Sequence, residues 1–238
     1  MNCKHRWARS KPSDAGYDHL TGRTSMSDQI DLSQEAAARR SFNEFFRQWW
    51  FSVAVMLLIC LTTLLPASTI HDLALVHDKV SDGEFWRIIS SQFVHLGFNH
   101  TVLNLVGYLI VSASFREDIT PTEEMTALGI CALGVGMGIY LFNPEIGWYV
   151  GLSGAIYGIL THYLIIGWRR SAILSAFFGL YLIGKFVYEQ LIAGPDTVTA
   201  DLIGGAVAID SHLYGAITGL VTGLISLWLF HRPAPAQQ

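Results

Sequence analysis

The sequence predicts an all-α membrane protein, a bundle of six spanning helices with both termini in the cytoplasm. Three observations carry this. Of 238 residues, 51% are hydrophobic and only 14% charged, where a soluble domain carries about 25%. The charge is also uneven: residues 1–48 hold eight of the fifteen Lys/Arg and six of the nineteen acids, which leaves 20 charges for the last 190 residues. That is too few to coat a surface in water, and a formal net charge of −4 excludes a basic nucleic-acid binder. Third, six stretches have the roughly 20 mostly apolar residues that a crossing requires: Trp50–Ile70, Phe93–Phe115, Met125–Phe142, Gly151–Trp168, Ala172–Ile192 and Asp210–Phe230.

Taken in order, residues 1–48 are polar and lack apolar periodicity, which predicts a disordered or weakly helical tail. Ser33–Arg40 is its one short helical stretch, and Met26 offers an alternative start. The first apolar segment lies some fifty residues into the chain and is too long for a signal-peptide core, so it is a retained span. Trp49, Trp50, Trp148, Tyr149, Trp168 and Trp228 stand near segment ends, as interfacial anchors do. With the N-terminus inside, Arg39, Arg40, Arg47, Arg116, Arg169, Arg170 and Arg232 flank the cytoplasmic ends, against Lys79 and Arg87 outside. This asymmetry sets the orientation and makes 71–92, 143–150 and 193–209 the outer loops. The membrane domain is 49–231, and 232–238 is a short Pro/Ala/Gln-rich cytoplasmic tail expected to be disordered. Cys3, Cys60 and Cys131 lack any CxxC or paired-His spacing, so the residues support neither a disulfide framework nor a metal site.

Polar side chains inside a span are expensive and are functional candidates by default. Here they are His95, His100, Asn104, Ser153, His162, Lys185, Glu189, Asp210 and His212. Ser153 lies in Gly151-Leu-Ser-Gly154; the flanking glycines permit a sharp turn and close helix approach. At the mouth of a helix it meets the positive dipole end and free N–H groups that favour an oxyanion. Taken alone, the motif equally suits a helix-packing serine. Ser153 is 16 residues before Arg169 and His212 is 19 before His231, placing them about 24 and 28 Å above the inner ends, at similar depth. Glycines spaced by four, Gly215, Gly219 and Gly223 on one helix and Gly154 and Gly158 on the other, let the two helices meet. Ser153 and His212 are then positioned as a nucleophile–base pair; the alternative is a glycine zipper with an incidental histidine.

His100 and Asn104, four apart, share a helix face, and both side chains can donate to an oxyanion. His95 is either a helix-entry residue or a cavity-facing one, and His162 points elsewhere. Lys185 and Glu189, also four apart, form an intrahelical ion pair, or else Glu189 faces the site and receives a basic substrate group. Asp210 falls about 200° around the helix from His212, so the residues favour a dyad over a triad.

Together these residues resemble the rhomboid family of intramembrane serine proteases, over about residues 45–230. Glu84-Phe-Trp-Arg87 is similar to the family's Trp-Arg element, and His95-x4-His100-x3-Asn104 to its second-helix signature. Gly151-x-Ser153-Gly154 is similar to its nucleophile motif, and His212 in a glycine-rich last helix to its base. Tyr157 falls where the family has a tyrosine packed against that base. Within the family, Lys185-x3-Glu189-Gln190-x3-Gly194-Pro195 and Val207–Ala216 resemble the rhombosortases, although these often carry His at the position of Tyr157.

The resemblance implies a six-helix rhomboid-like bundle in the bacterial inner membrane, with an active site opening to the periplasmic side. It implies Ser153 and His212 as catalytic residues, an oxyanion site from His100, Asn104 and the Ser153 N–H, and supporting roles for Tyr157, Gly151 and Gly154. His95, Asn99 and Ser211 would line a polar cavity, and Glu189 is the candidate substrate contact. Neither metal nor cofactor is expected. The partners implied are a transmembrane segment of a membrane-tethered protein and the surrounding lipids, with no nucleic acid. The rhombosortase likeness implies C-terminal Gly-Gly sorting segments of exported proteins as substrate; a general rhomboid protease with broader single-span substrates is the alternative. The rivals from other classes are an inactive client-binding rhomboid-like protein and a small transporter or channel. HExxH is absent, which excludes a zinc metalloprotease of that type.

Overall fold

The computed structural model describes residues 26–193 and 197–230. The chain divides into two compact units, 1–45 and 46–238; the second contains every candidate site residue. Residues 1–25 of the expected N-terminal tail, Gly194 and Pro195, and the 232–238 tail lie outside the described residues. From Met26 the chain is helical, the expected Ser33–Arg40 stretch included.

Helix α1 (Met26–Thr63) stops seven residues short of the expected Ile70. Pro66 explains this: its ring disfavours helical geometry at Leu65 and it has no N–H to continue the ladder. The chain restarts as a short helix, Ala67–Leu73. Strand β1 (Leu75–Val76) follows, pairing antiparallel with β2 (Trp148–Tyr149) in the register Leu75↔Tyr149 and Val76↔Trp148. Short turns at His77–Ser81, Arg87–Ser90 and Ser91–Phe93 lead to helix α2 (Phe98–Ser114), across a bend of 91°. The expected second span, from Phe93, is therefore broken: only Phe98 onward is its helix.

Helix α3 (Pro121–Phe142) starts four residues before the expected Met125. Pro121 suits a first helical position, and the Thr120 hydroxyl accepts the Glu123 N–H at 3.2 Å. Helices α4 (Ser153–Gly167), α5 (Ala172–Val187) and α6 (Ile209–Phe230) complete the bundle. A π-turn, Tyr188–Ala193, extends α5, and a short helix, Thr197–Ile203, precedes α6.

Among the described residues, three helices are long and apolar enough to cross a membrane, Ser41–Thr63, Pro121–Phe142 and Ile209–Leu229, and four if the bent pair ending at Ser114 counts as one span. Of the expected six, α4 and α5 are shorter, at 15 and 16 residues. Fifteen residues rise about 22 Å against a core about 30 Å thick, because α4 begins only after the chain has turned at Gly151.

Burial is arranged for lipid. Leu109, Ile110, Phe177, Leu180, Ile183, Leu224 and Ile225 all face outward, a surface that water would penalise and hydrocarbon does not. Helix α4 lies in the interior: Ile159, Leu160 and Tyr163 pack with Ile59, Tyr108, Val111, Phe115, Leu128, Cys131 and Leu182. Its contact with α6 is backbone to backbone. A methyl group at Gly215 would meet the Gly154 carbonyl, and one at Gly219 the Gly158 carbonyl. Only glycine permits that approach.

One polar cluster ties α1, α2 and α3 together. The Glu124 carboxylate, fully buried, accepts from Tyr108 at 2.7 Å, Ser112 at 2.8 Å, Ser52 at 2.8 Å and the Arg116 guanidinium at 2.8 Å. Arg116 also donates to the Ile119 carbonyl at 2.9 Å. Sequence reading counted Arg116 as a solvent-flank charge and missed Glu124, since a span starting at Met125 leaves Glu124 outside it.

Candidate active site

The entrance to α4 is built by backbone geometry. Gly151 has φ +119, a left-handed conformation that a side chain would strain. Its N–H donates to the Ser91 carbonyl at 2.9 Å, and its carbonyl accepts from the Tyr149 hydroxyl at 2.9 Å. Burial pushes the Tyr149 phenol up to about 12, so it stays a donor at neutral pH. The loop carrying Trp86-Arg87 braces the other side. Arg87 is buried and donates to Glu84 at 2.6 Å, to the His71 carbonyl at 2.9 Å and to the Ala74 carbonyl at 2.8 Å. Arg87 thus fastens its loop to the 71–74 segment that leads into β1.

Ser153 is the first residue of α4, where the leading N–H groups have no acceptor within the helix. Its Oγ lies 3.1 Å from His212 Nε2. The two side chains, matched in the sequence by depth and by the glycine ridges of their helices, are at hydrogen-bonding distance. Tyr157, one turn along α4, stacks on the His212 ring with centroids 4.2 Å apart and planes 5° from parallel. Gly154 lies against the Ser211 carbonyl, so the small residue beside the serine is what admits the start of α6.

His100 stands across from Ser153. Its Nδ1 accepts the Leu96 N–H at 3.3 Å, so the neutral ring carries its proton on Nε2. A methyl group at Gly151 would lie 2.8 Å from that Nε2; Gly151 is small so that the imidazole can sit over the turn. Asn104 is buried one turn on and donates one N–H to the His100 carbonyl at 2.9 Å, leaving its second N–H for another acceptor. Both residues border Ser153 in a cavity of about 300 Å³ between α2, α5 and the segment before α6, also lined by Tyr157, Lys185, Glu189 and His212. A second cavity, about 470 Å³, reaches His100 and Ser153 from the 145–150 and 203–208 loops, with Ser211 in its wall.

Other expected residues go elsewhere. His95 is buried edge-on to His100, centroids 5.0 Å apart, and lines neither cavity: the bend before Phe98 turns it inward, behind His100. Asn99 is exposed and donates to the Leu202 carbonyl at 3.0 Å. His162 is buried and pairs with the Thr222 hydroxyl at 3.1 Å. Asp210 accepts the Asn143 amide at 2.8 Å, away from His212; Asn143 drew no notice in the sequence. Lys185 and Glu189 form the anticipated ion pair, at 3.2 Å. Glu189 also has its other oxygen 3.2 Å from His212 Nδ1. Helical spacing had pointed it either to Lys185 or to substrate, since contacts between helices have no signature in spacing.

A Rhomboid domain profile matches residues 82–229, from the Trp-Arg loop through α6. The chain is 27% identical over 179 residues to the rhomboid protease GlpG of Klebsiella pneumoniae subsp. pneumoniae, covering 71% of this chain and 61% of that protein. It is 25% identical over 180 residues to GlpG of Salmonella typhi, covering 72% and 61%. Against the putative rhomboid protease YdcA of Bacillus subtilis it is 22% identical over 195 residues, covering 78% and 92%. The chain thus spans less than two thirds of the length of the GlpG proteins it matches. With the profile covering most of a mostly helical, lipid-adapted chain, this integral membrane protein belongs to the rhomboid family.

Proposed function

We propose that this protein is an intramembrane serine endopeptidase that cleaves transmembrane segments of membrane-tethered proteins, with Ser153 as nucleophile and His212 as base. The observation that carries the reading is the 3.1 Å approach of Ser153 Oγ to His212 Nε2 in the wall of the cavity of about 300 Å³. His212 takes the Ser153 proton as Oγ attacks the scissile carbonyl, and returns it to the leaving amine as the acyl-enzyme forms. Water, activated by the same imidazole, then releases the acyl group. The oxyanion is received by the Ser153 N–H at the helix start and by His100 Nε2–H, with Asn104 supplying its second N–H. Tyr157 holds the imidazole plane by stacking. No step requires a metal or cofactor.

The membrane arrangement fits this reading with α1 to α6 as six crossings, both termini in the cytoplasm and the cavities open to the periplasmic side of a bacterial inner membrane. The rhombosortase likeness supports Gly-Gly sorting segments as substrate, because glycine weakens a helix by about 1 kcal/mol per residue relative to alanine and eases its unwinding at the serine. A general rhomboid protease would instead cleave single-span substrates without a Gly-Gly tail equally well.

The test is covalent labelling by a tagged fluorophosphonate in membranes. Wild type labels; Ser153→Ala abolishes labelling and His212→Ala sharply reduces it. An unlabelled wild type, beside a rhomboid protease that labels in the same membranes, would favour the client-binding reading. Labelling that survives in Ser153→Ala would place the nucleophile elsewhere.

A further inference from the structure

We propose that Glu189 is a positioning residue for His212, so that the Ser153–His212 pair works as a triad with Lys185 behind its acid; this rests on the reading of Ser153 as nucleophile. The π-turn Tyr188–Ala193 that extends α5 delivers Glu189 to the site; single π-turns in otherwise α-helical segments recur at functional sites. Its carboxylate is 1% exposed and engages two partners, His212 Nδ1 through Oε2 at 3.2 Å and Lys185 Nζ through Oε1 at 3.2 Å. Each oxygen thus holds one partner within the protein, a sufficient role for the carboxylate without a basic substrate group.

The chemistry follows from the two ring nitrogens. A carboxylate only accepts, so the Nδ1 facing it carries the proton and donates. That leaves Nε2 with its lone pair toward Ser153 Oγ, 3.1 Å away, the tautomer a general base requires. When His212 takes the serine proton, the carboxylate faces the new imidazolium. Lys185 offsets the buried negative charge in the resting state, which a lone carboxylate in this position would otherwise have to lose by protonation. The other groups facing His212 are Tyr157, stacked on its ring from α4, and His100 and Tyr181 across the shared cavity. Asp210, on its own helix, is turned to Asn143. Among the described residues facing His212, Glu189 is the one carboxylate.

The experiment measures the second-order fluorophosphonate labelling rate against pH for the full chain in membranes, for wild type, Glu189→Gln, Glu189→Asp and Lys185→Met. In Glu189→Gln the amide can donate to Nδ1 and select the wrong tautomer. The rate should fall by about 10²–10⁴-fold, as it does when the orienting acid of a serine protease triad becomes an amide. The acid limb of the residual rate should move to lower pH, because the imidazolium loses its carboxylate. Glu189→Asp should recover part of the rate, and Lys185→Met should move the acid limb to higher pH. A merely structural Glu189 would lower the amount of folded protein and leave the acid limb in place. Ser153-dependent labelling with an unmoved limb and wild-type rate per folded molecule in Glu189→Gln, or in Glu189→Asp should the Gln variant not fold, overturns this proposal and leaves the Ser153 reading intact. Absence of labelling in wild type, or its persistence in Ser153→Ala, overturns that reading and this one with it.

Discussion

Substituting Gly215 by alanine tests whether the glycine contact between α4 and α6 sets the distance between Ser153 and His212. A methyl group there meets the Gly154 carbonyl, with the carbonyl carbon 2.8 Å from the ideal Cβ position and the Gly158 nitrogen at 3.3 Å. Ordinary carbon–carbon contact is about 3.5 Å or more, so the helices must part by at least about 0.7 Å at this point, since the carbonyl oxygen lies nearer still. Neither side can yield by a rotamer change, because the clash is with backbone. Ser153 lies one residue before Gly154, and His212 three before Gly215. A shift of that size would stretch the 3.1 Å bond to about 3.8 Å, beyond hydrogen-bonding range. Misplacement near 1 Å costs about 10²-fold in rate, and the overpacking itself costs about 1–3 kcal/mol. The assay is the fluorophosphonate labelling rate per folded molecule, with thermal unfolding in detergent read in parallel. Gly129→Ala is the control, since a methyl group at Gly129 meets nothing within 4 Å. Wild-type labelling by Gly215→Ala would refute the idea that this contact sets the distance.

Three further outcomes are expected. Gly151→Ala combines a strained φ of +119 with a methyl group 2.7 Å from His100 Cε1; labelling should fall at least about 10-fold, in line with the loss of an oxyanion donor, and an unchanged rate would remove His100 from the oxyanion site. Tyr157→Phe keeps the ring stacked on His212 and should stay at the wild-type rate, whereas Tyr157→Ala should lose up to about 10-fold, the ring contact being worth about 0.5–1.5 kcal/mol beyond its buried area; equal rates for the two would show that the stacking does not hold the base. Glu124→Ala leaves the buried Arg116 without its counter-charge and should destabilise the fold by about 3–5 kcal/mol, read as a large fall in thermal midpoint; a midpoint near wild type would mean that the cluster does not fasten α1, α2 and α3.

The candidates Ser153, His212, His100 and Asn104 are legible in the sequence because turn chemistry, four-residue spacing and depth along a helix are properties of a single dimension. Gly151 and Gly154 announce a tight turn, His100 and Asn104 share a face by periodicity, and rise per residue puts Ser153 level with His212. Glu124 was missed because its span begins four residues earlier than hydropathy indicates, and a lone acid at a helix start reads as a flank. The α1 end shows the same weakness in reverse: apolar residues continue past Pro66, but the helix cannot.

The sequence by itself determined a helical membrane bundle, its set of buried polar candidates and the glycine ridges that allow two of its helices to touch. Only the tertiary structure decided how those helices are rotated about their axes, and every partnership of a polar group depends on that rotation. It brought Glu189 rather than Asp210 to His212, sent Asp210 to Asn143 and tucked His95 behind His100. A helix has one spacing rule but a full circle of orientations, and the angle is chosen by packing against neighbours far away in the chain. Here that packing is backbone against backbone at Gly154, Gly158, Gly215 and Gly219, where tolerance is a few tenths of an ångström and a hydrogen bond between Ser153 and His212 depends on it.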